Sequence, residues 1–278
     1  MTFYDVIRLA ELTYRLKCFR NIVIIGGGHM KIIAIVFALL LSGCLSNSSD
    51  LDVEPSFNKA IALNGFWDGQ FNQSGAVRLL FYDGAVFGTD GASGYLGTVS
   101  YDESTENVSM SLTAYGLVVS EPAADYYVSG GNAEHFSFDG LLVNQSTSSG
   151  TITGNYVSAS EGGSLTMIAD GSWANTSGLW QLVGTWNAGS YQMFVAQRDS
   201  NNTFIATGPG GCSFEGDIYL LNEKYPLFEV NMYKRENCSG FNLESGQSAR
   251  GFTGLNINNQ LEFYITLNGE QLIMQFSK

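Results

Sequence analysis

Several stretches of the chain alternate apolar and polar residues with a period of two. Val108, Met110 and Leu112 are separated by serines. Similar alternation occurs in residues 135–139, 228–233 and 261–267. A period of two buries one face of a β-strand and leaves the other in water, as in antiparallel sheets. Because no stretch after residue 44 has the longer period of an amphipathic helix, we predict an all-β protein.

Glycine-containing turn dipeptides separate the apolar runs. Asp83-Gly84 lies between residues 77–82 and 85–87, an arrangement typical of a β-hairpin with a type I′ turn. Asn268-Gly269 follows residues 261–267 in the same way. The 33 glycines are spread through such turns rather than gathered in a phosphate-binding loop before a helix. We therefore expect short strands joined by tight turns.

Two landmarks occur twice in the same order. Residues 63–67 (LNGFW) resemble residues 182–186 (LVGTW), and residues 152–156 (ITGNY) resemble residues 252–256 (FTGLN). Such self-similarity favours an internal repeat. We predict two tandem antiparallel β-domains, each a barrel or a sandwich with its own core. The predicted bounds are 61–174 for the first domain and 178–278 for the second.

The glycine and tryptophan of the first landmark carry a resemblance to a known fold. Gly65-x-Trp67 and Gly184-x-Trp186 resemble the first-strand motif of calycins, the lipocalin and avidin-like barrels. In that group the tryptophan closes one end of the barrel. The resemblance therefore implies Trp67 and Trp186 as candidate barrel-closing residues, and the alternative is that both are ordinary core tryptophans. We use this resemblance to predict the barrel fold only, and infer no ligand from it.

A short apolar segment near the N-terminus ends in a cysteine. Lys31 precedes ten apolar residues, 32–41, which suit a signal peptide and are too few to span a bilayer as a helix. The tetrad Leu41-Ser42-Gly43-Cys44 resembles a bacterial lipobox, the site of signal peptidase II cleavage. The resemblance implies lipidation of Cys44, and Leu45 after it implies anchoring in the outer membrane of a Gram-negative bacterium. The alternative is a signal peptide with an unrelated cysteine.

The residues around this tetrad complete the predicted organisation. We expect translation to begin at Met30, so that residues 1–43 are an upstream segment and a lipoprotein signal peptide; a genuine N-terminal extension is the alternative. Residues 44–60 hold the lipidated cysteine and a polar stretch that we expect to be a flexible tether. Acyl chains such as palmitate add ~0.8 kcal/mol of membrane affinity per buried methylene, so several chains anchor a protein stably.

The four cysteines have separate expected roles. Cys18 precedes the expected start and Cys44 carries the lipid. Cys212 and Cys238 remain, in an oxidising compartment, and we predict that they pair by elimination. The chain-entropy model gives roughly 3.5 kcal/mol for closing a loop of that length. Metal binding is the alternative, but after Cys44 the chain has one histidine, His135, and no C-x-x-C motif, so we expect no metal site.

The expected mature chain is strongly acidic. From Cys44 onward it has 8 Lys and Arg against 24 Asp and Glu, a net charge of −16. This charge argues against nucleic acid and against anionic membrane surfaces, because both are bound through basic side chains. A basic protein or divalent cations remain open as partners, beside the simpler interpretation that the charge keeps the protein soluble.

The sequence marks no catalytic constellation. There is no G-x-S-x-G motif and no free cysteine, and His135 lies on the polar face of its predicted strand, where we expect it to be solvated. An enzyme acting on a glycan would need two carboxylates facing each other in a cleft, and no particular pair stands out. The D-x-D-x-D-G calcium pattern is absent. We expect neither catalysis nor a cofactor.

Aromatic residues offer a surface for recognition, since the chain has 14 Tyr and 18 Phe. Seven tyrosines lie in or beside polar, glycine-containing stretches: Tyr95, Tyr101, Tyr115, Tyr126, Tyr127, Tyr191 and Tyr225. They suit recognition at loop edges, or cross-strand packing. We predict a non-catalytic envelope lipoprotein that binds or scaffolds a partner. The alternatives are an inhibitor or receptor for a basic protein, a small-ligand carrier with a calycin-like barrel, and a glycan-acting enzyme.

Overall fold

The computed structural model describes residues 63–278, apart from 73–74, 129–132, 145–148, 173–174, 176–177 and 222–224. The prediction of an all-β protein built from antiparallel strands is confirmed. The described residues belong to one compact unit. Among the described residues no helix has the length and apolar character that crossing a bilayer requires. The predicted signal peptide, Met30, Cys44 and the tether 44–60 lie outside the described residues.

The first half of the described chain contains nine strands. They are β1 (Gly65–Phe71), β2 (Gly75–Tyr82), β3 (Ala85–Thr89), β4 (Ser93–Asp102), β5 (Asn107–Glu121), β6 (Ala124–Val128), β7 (Glu134–Val143), β8 (Thr151–Val157) and β9 (Gly162–Ala169). Eight of them close into an antiparallel barrel in the order β1-β2-β3-β4-β5-β7-β8-β9, and β9 pairs back with β1. Closure leaves no free edge in this barrel.

The second half is a meander of eight antiparallel strands. They are β10 (Gly184–Ala188), β11 (Tyr191–Gln197), β12 (Asn202–Thr207), β13 (Ser213–Leu220), β14 (Leu227–Glu236), β15 (Ala249–Leu255), β16 (Leu261–Leu267) and β17 (Glu270–Phe276). Two backbone hydrogen bonds between Asn187 and Ser277, of 2.7 and 2.9 Å, join its first and last strands. The meander encloses most of a second hydrophobic core.

Strand β6 connects the two halves. It pairs with the second part of β5 on one side and with β17 on the other. Ala124 and Tyr126 of β6 pack into the core of the second half, although they lie within the range predicted for the first domain. A third apolar cluster covers the outer faces where the halves meet: Phe66, Leu80, Tyr127, Leu227, Tyr264 and Ile273. The two halves therefore share both a sheet and a core.

The predicted turns and most of the predicted faces are confirmed. Asp83-Gly84 joins β2 to β3 and Asn268-Gly269 joins β16 to β17, with positive φ at all four residues. The prediction of a wet face on β16 is wrong, because Glu262 and Tyr264 are 5% and 1% exposed. That face packs against the first barrel, where the Tyr264 ring lies 6.3 Å from the ring of Phe66.

Of the two repeated sequence landmarks, only the first lies on equivalent strands in the two halves. Residues 63–67 and 182–186 begin the first strand of each half, so this pair marks equivalent positions. Residues 152–156 lie on β8, the seventh strand of the first barrel, whereas residues 252–256 lie on and after β15, the sixth strand of the meander. The second landmark therefore does not mark equivalent strands.

Candidate functional site

Four aromatic side chains meet at one end of the first barrel. They are Phe71 at the end of β1, Tyr95 near the start of β4, Phe136 near the start of β7 and Tyr156 near the end of β8. Neighbouring centroids are 6.1 Å apart from Phe71 to Tyr95, from Tyr95 to Phe136 and from Phe136 to Tyr156, and 5.0 Å apart from Tyr156 back to Phe71. These four rings, a closed circuit of contacts, are called the aromatic cluster below.

The aromatic cluster lines a cavity of about 230 Å³. The remaining lining residues are Asn72, Gly75, Asp90 and Glu161. Tyr95 and Tyr156 are 4% and 3% exposed, whereas Phe71 and Phe136 are partly exposed, so the cavity has a buried floor and a wall that solvent reaches. Pockets for drug-sized ligands usually enclose ~300–1,000 Å³, so this cavity suits a small group.

Two carboxylates give the cavity a negative rim. The Tyr95 hydroxyl donates to Asp90 Oδ2 at 2.7 Å, and Asp90 Oδ1 accepts from the backbone N–H groups of Ala92 and Ser93 at 2.9 and 2.6 Å. Burial raises the pKa of Tyr95, and the charges of Asp90 and Glu161 raise it further. None of the described residues that line the cavity is Lys, Arg or His, so none of them offsets these acids with a positive charge.

Asn72 fixes the hydroxyl of Tyr156. Asn72 has a left-handed backbone with φ of 47°, which asparagine tolerates. Its Nδ2 donates to the Tyr156 hydroxyl at 2.9 Å, while its Oδ1 accepts from the Ser164 N–H at 3.0 Å. The Asn72 N–H in turn donates to the Ser164 carbonyl at 2.9 Å. One side of the cavity is thereby held between β1 and β9.

Glu134 holds the turn that carries Glu161. Its Oε1 accepts from the Ser158 hydroxyl at 2.5 Å, from the Ser160 hydroxyl, and from the Ser160 N–H at 3.2 Å. These hydrogen bonds from Ser158 and Ser160 lower the pKa of Glu134, since they favour its charged form. The Ser158 N–H donates to the Glu161 carbonyl at 2.7 Å. Glu134 thus adds a third acid near the rim and orders the turn.

A second cavity, of about 420 Å³, lies beside the junction of the two halves, and its chemistry is centred on Arg78. The Arg78 guanidinium lies 3.0 Å from Asp68, 2.8 Å from Asp170 and 3.1 Å from Glu262, and 4.6 Å from the centroid of the Phe66 ring. Burial lowers the pKa of Arg78, but its interactions with Glu262, Tyr264 and Asp170 together outweigh this and leave it raised.

The acids around Arg78 are themselves engaged. Glu262 Oε1 accepts from Asn256 Nδ2 at 2.6 Å, and Glu262 Oε2 accepts from the Tyr264 hydroxyl at 2.9 Å. Asp170 Oδ1 accepts from the hydroxyl and the N–H of Ser172 at 2.6 and 2.8 Å. This arrangement is a buried ion network that joins β2 to β16. A glycan-acting enzyme would need carboxylates that reach a substrate, and these two are turned toward Arg78.

The two candidate barrel-closing tryptophans have matching environments. Trp67 Nε1 donates to the Leu63 carbonyl at 2.7 Å, and Trp186 Nε1 donates to the Leu182 carbonyl at 2.7 Å. Their indoles are 3% and 1% exposed. Each motif glycine has the same positive φ, 125° for Gly65 and 127° for Gly184, which would strain any other residue. Trp67 lies at the end of the first barrel away from the aromatic cluster.

Lys278 covers the second tryptophan. Its Nζ lies 4.7 Å from the centroid of the Trp186 ring and donates to the Gln181 carbonyl at 2.8 Å. Gln181 belongs to the short 3₁₀ helix Leu179–Leu182 that precedes β10. The contact joins the segment after β17 to the segment before β10, next to the two hydrogen bonds between Asn187 and Ser277.

The predicted disulfide is confirmed. Cys212 and Cys238 have their Sγ atoms 1.98 Å apart, which ties the residue before β13 to the loop after β14. The same loop is held by Arg235, 2% exposed, which donates to the carbonyl oxygens of Phe241 and, at 2.7 Å, of Ser239. Phe241 is buried in the core of the second half. The loop therefore covers one end of the meander.

Apart from Tyr95, the remaining predicted residues lie outside the cavity lined by the aromatic cluster. His135 is exposed and its Nδ1 lies 3.1 Å from the Thr113 hydroxyl, on the outer face of the barrel. Tyr126, Tyr127 and Tyr191 are 8%, 0% and 4% exposed, which favours cross-strand packing over recognition at loop edges as their role. They lie where β6 packs against its neighbours. Tyr95 alone of the seven tyrosines lines the cavity.

The sequence prediction missed three rings of the aromatic cluster. Phe71, Phe136 and Tyr156 are far apart in the chain, and nothing local marks them as neighbours. Their one shared signal is an aromatic residue within two positions of a strand end. Comparison with protein-family models, curated proteins and solved structures finds no match to this chain. Among the described residues no group of three or more His, Cys, Asp or Glu is arranged to hold a metal ion.

Proposed function

We propose that the chain is a non-catalytic binding lipoprotein of the bacterial envelope, and that the cavity lined by the aromatic cluster is its binding site. The observation that carries this proposal is the combination of four aromatic rings, two fixed hydroxyls and two rim carboxylates around one small cavity. Binding sites for small groups typically combine an aromatic lining with a few well-placed polar atoms.

The barrel supports this role because it makes the site rigid. Phe71, Tyr95, Phe136 and Tyr156 stand on four strands of a closed barrel, and the Tyr95 and Tyr156 hydroxyls are held by Asp90 and Asn72. Groups ordered before binding lose less entropy when a ligand arrives. The lipobox-like tetrad ending at Cys44 supports an outer-membrane location, where the tether would hold the barrel above the lipid.

A basic protein is the second candidate partner. A net charge of −16 after Cys44 would steer cationic proteins, and the acids Asp90, Glu134 and Glu161 lie at or beside the rim of the cavity. In this version a basic side chain of the partner would enter the cavity. The small-molecule and the basic-protein proposals place the ligand in the same cavity and differ only in the size of that ligand.

The test is capture from native envelope extract at low and at high salt, with the full chain as bait. Phe136→Ala opens one wall of the cavity, and Phe194→Ala, at a 54% exposed position of β11, is the matched control. We expect the wild type and Phe194→Ala to retain the same protein or small molecule and Phe136→Ala to lose it. Retention by all three proteins would show that the cavity is not the binding site.

A further inference from the structure

We infer that the cavity lined by the aromatic cluster binds an alkylated ammonium group, such as the head of a quaternary amine. This inference rests on the proposed binding function and adds the ligand class. It follows from three properties of the cavity: its rings, its charge and its size.

The rings supply attraction without hydrogen bonding. Cations within ~6 Å of an aromatic centroid are attracted by the ring quadrupole, and alkylated ammonium ions are the ligands most typical of aromatic cages. Neighbouring rings of the cluster are 5.0 to 6.1 Å apart and contact one another, so a group in the cavity that they line lies close to several rings at once. A quaternary ammonium has no N–H, so it leaves no donor unsatisfied among the rings.

The charge of the rim selects a cation over a neutral group. Asp90 and Glu161 line the cavity and no basic residue does. The acidic cavity beside the junction of the two halves differs in this respect, because Arg78 there neutralises Asp170 and Glu262 directly. At the junction, the Arg78 guanidinium lies over the Phe66 ring and is surrounded by carboxylates. A ligand cation at the aromatic cluster would have an equivalent environment of rings and carboxylates.

The size of the cavity limits the ligand to its cationic head. At about 230 Å³ the cavity is smaller than a drug-sized pocket and has an exposed wall at Phe71 and Phe136. A larger substituent on the ammonium nitrogen could extend past this exposed wall into solvent. A free small amine and the head of a larger molecule therefore share the same recognition chemistry.

The test compares choline with its neutral isostere, 3,3-dimethyl-1-butanol, by isothermal titration calorimetry on the purified full chain. The two probes have the same shape, and only choline carries the charge. We expect choline to bind at least about tenfold more tightly. Phe136→Ala should abolish this preference and Glu161→Gln should weaken choline about threefold, less so at high salt. Phe194→Ala and the distant, exposed Glu244→Gln should bind choline as the wild type does.

Each other outcome overturns the inference in a recognisable way. Equal binding of both probes would make the cavity a plain apolar pocket, and binding of a neutral sugar such as methyl glucoside in preference to choline would make it a sugar site. In both cases the proposed binding function would stand. No detectable binding of choline would remove the ammonium class, and the envelope capture experiment would then decide the binding function separately.

Discussion

The guanidinium of Arg78 donates to both carboxylate oxygens of Glu262, from Nε at 3.3 Å and from Nη2 at 3.1 Å. Arg78 stands on β2 of the first barrel and Glu262 on β16 of the second half, so a single side chain ties the halves together. The side chains of Glu262 and Asp170 are 6% and 1% exposed. Removal of the arginine would leave both acids buried without their cation.

We expect Arg78→Met to destabilise the protein by about 3–5 kcal/mol, because breaking a buried ion pair on one side strands the opposite charge. The measurement is urea unfolding followed by tryptophan fluorescence. Lys234→Met is the matched control, since Lys234 pairs with Glu215 at 2.7 Å on the surface, and it should not change the unfolding midpoint measurably. Equal midpoints for Arg78→Met and the wild type would contradict the role given to this network.

Trp67→Phe and Trp186→Phe should have similar costs, because the two indoles make the same hydrogen bond in the same local geometry. Each substitution leaves a buried carbonyl, of Leu63 or Leu182, without its donor, which costs about 1–3 kcal/mol. Thermal unfolding of both variants measures this. Phe194→Leu, on an exposed face, should stay within about 0.5 kcal/mol of the wild type. A large cost at one tryptophan only would mean that the two motifs are not equivalent.

Loss of the disulfide should destabilise the second half. Replacing both Cys212 and Cys238 with serine is expected to cost about 3.5 kcal/mol, chiefly because the unfolded chain regains the freedom of the closed loop. Urea unfolding of the oxidised, reduced and double-serine proteins provides the comparison. The reduced wild type should match the double-serine variant. If reduction leaves the midpoint unchanged, Arg235 and the buried Phe241 hold the loop without the bond.

Stability should fall in alkaline solution. Burial raises the pKa of Tyr126 and of Tyr191 to about 12, and Tyr191 also donates to Glu121, whereas tyrosine in an unfolded chain ionises near pH 10. The stabilisation is fully present below about pH 10 and is lost as pH rises toward about 12, because only the unfolded state releases its protons in that window.

Urea midpoints measured from about pH 9 to about pH 11.5 test this dependence on pH. Tyr191→Phe should make the decline shallower, since one tyrosine with a raised pKa is removed. Tyr233, 43% exposed, offers the control substitution Tyr233→Phe, which should alter the slope less. A stability that stays constant across this range would show that the buried tyrosines ionise as easily in the folded protein as in the unfolded chain.

Cys44 is predicted to carry the lipid. In a bacterial host, the wild type should incorporate a labelled palmitate analogue and sediment with the outer membrane, whereas Cys44→Ser should lose both properties because the cysteine thiol is the group that receives the acylated glycerol. Cys18→Ser is the matched control and should behave as the wild type. Labelling of the Cys44→Ser protein would place the lipid on another residue and contradict the lipobox assignment.

Local patterns in the sequence predicted those elements that depend on near neighbours. Alternation identified the strands, and Asp83-Gly84 and Asn268-Gly269 identified two hairpins, because turn chemistry and a single buried face act over a few residues. Strand β6 was missed, since it is short, has no clear alternation and finds its partner β17 far along the chain. The buried outer face of β16 was missed for the same reason: alternation cannot report which other sheet covers a polar side chain.

The candidate site could not be predicted from the sequence for a related reason. Phe71, Tyr95, Phe136 and Tyr156 become neighbours only when eight strands close in one order, and the same residues in an open sheet would lie on separate strands. Tyr95 was among the tyrosines predicted for recognition because of its glycine-rich surroundings. Nothing in the sequence connects Asp90 and Glu161 with these rings, because their proximity depends on barrel closure.

The position of β6 between β5 and β17 also has a consequence for folding. A chain that emerges from its N-terminus presents β6 with one unpaired edge for as long as β17 has not yet appeared. An exposed strand edge is a template for pairing with other chains. If the first barrel closes before β17 has appeared, it is complete but open to strand pairing along β6, and a chaperone that shields strand edges would have its greatest effect in that interval.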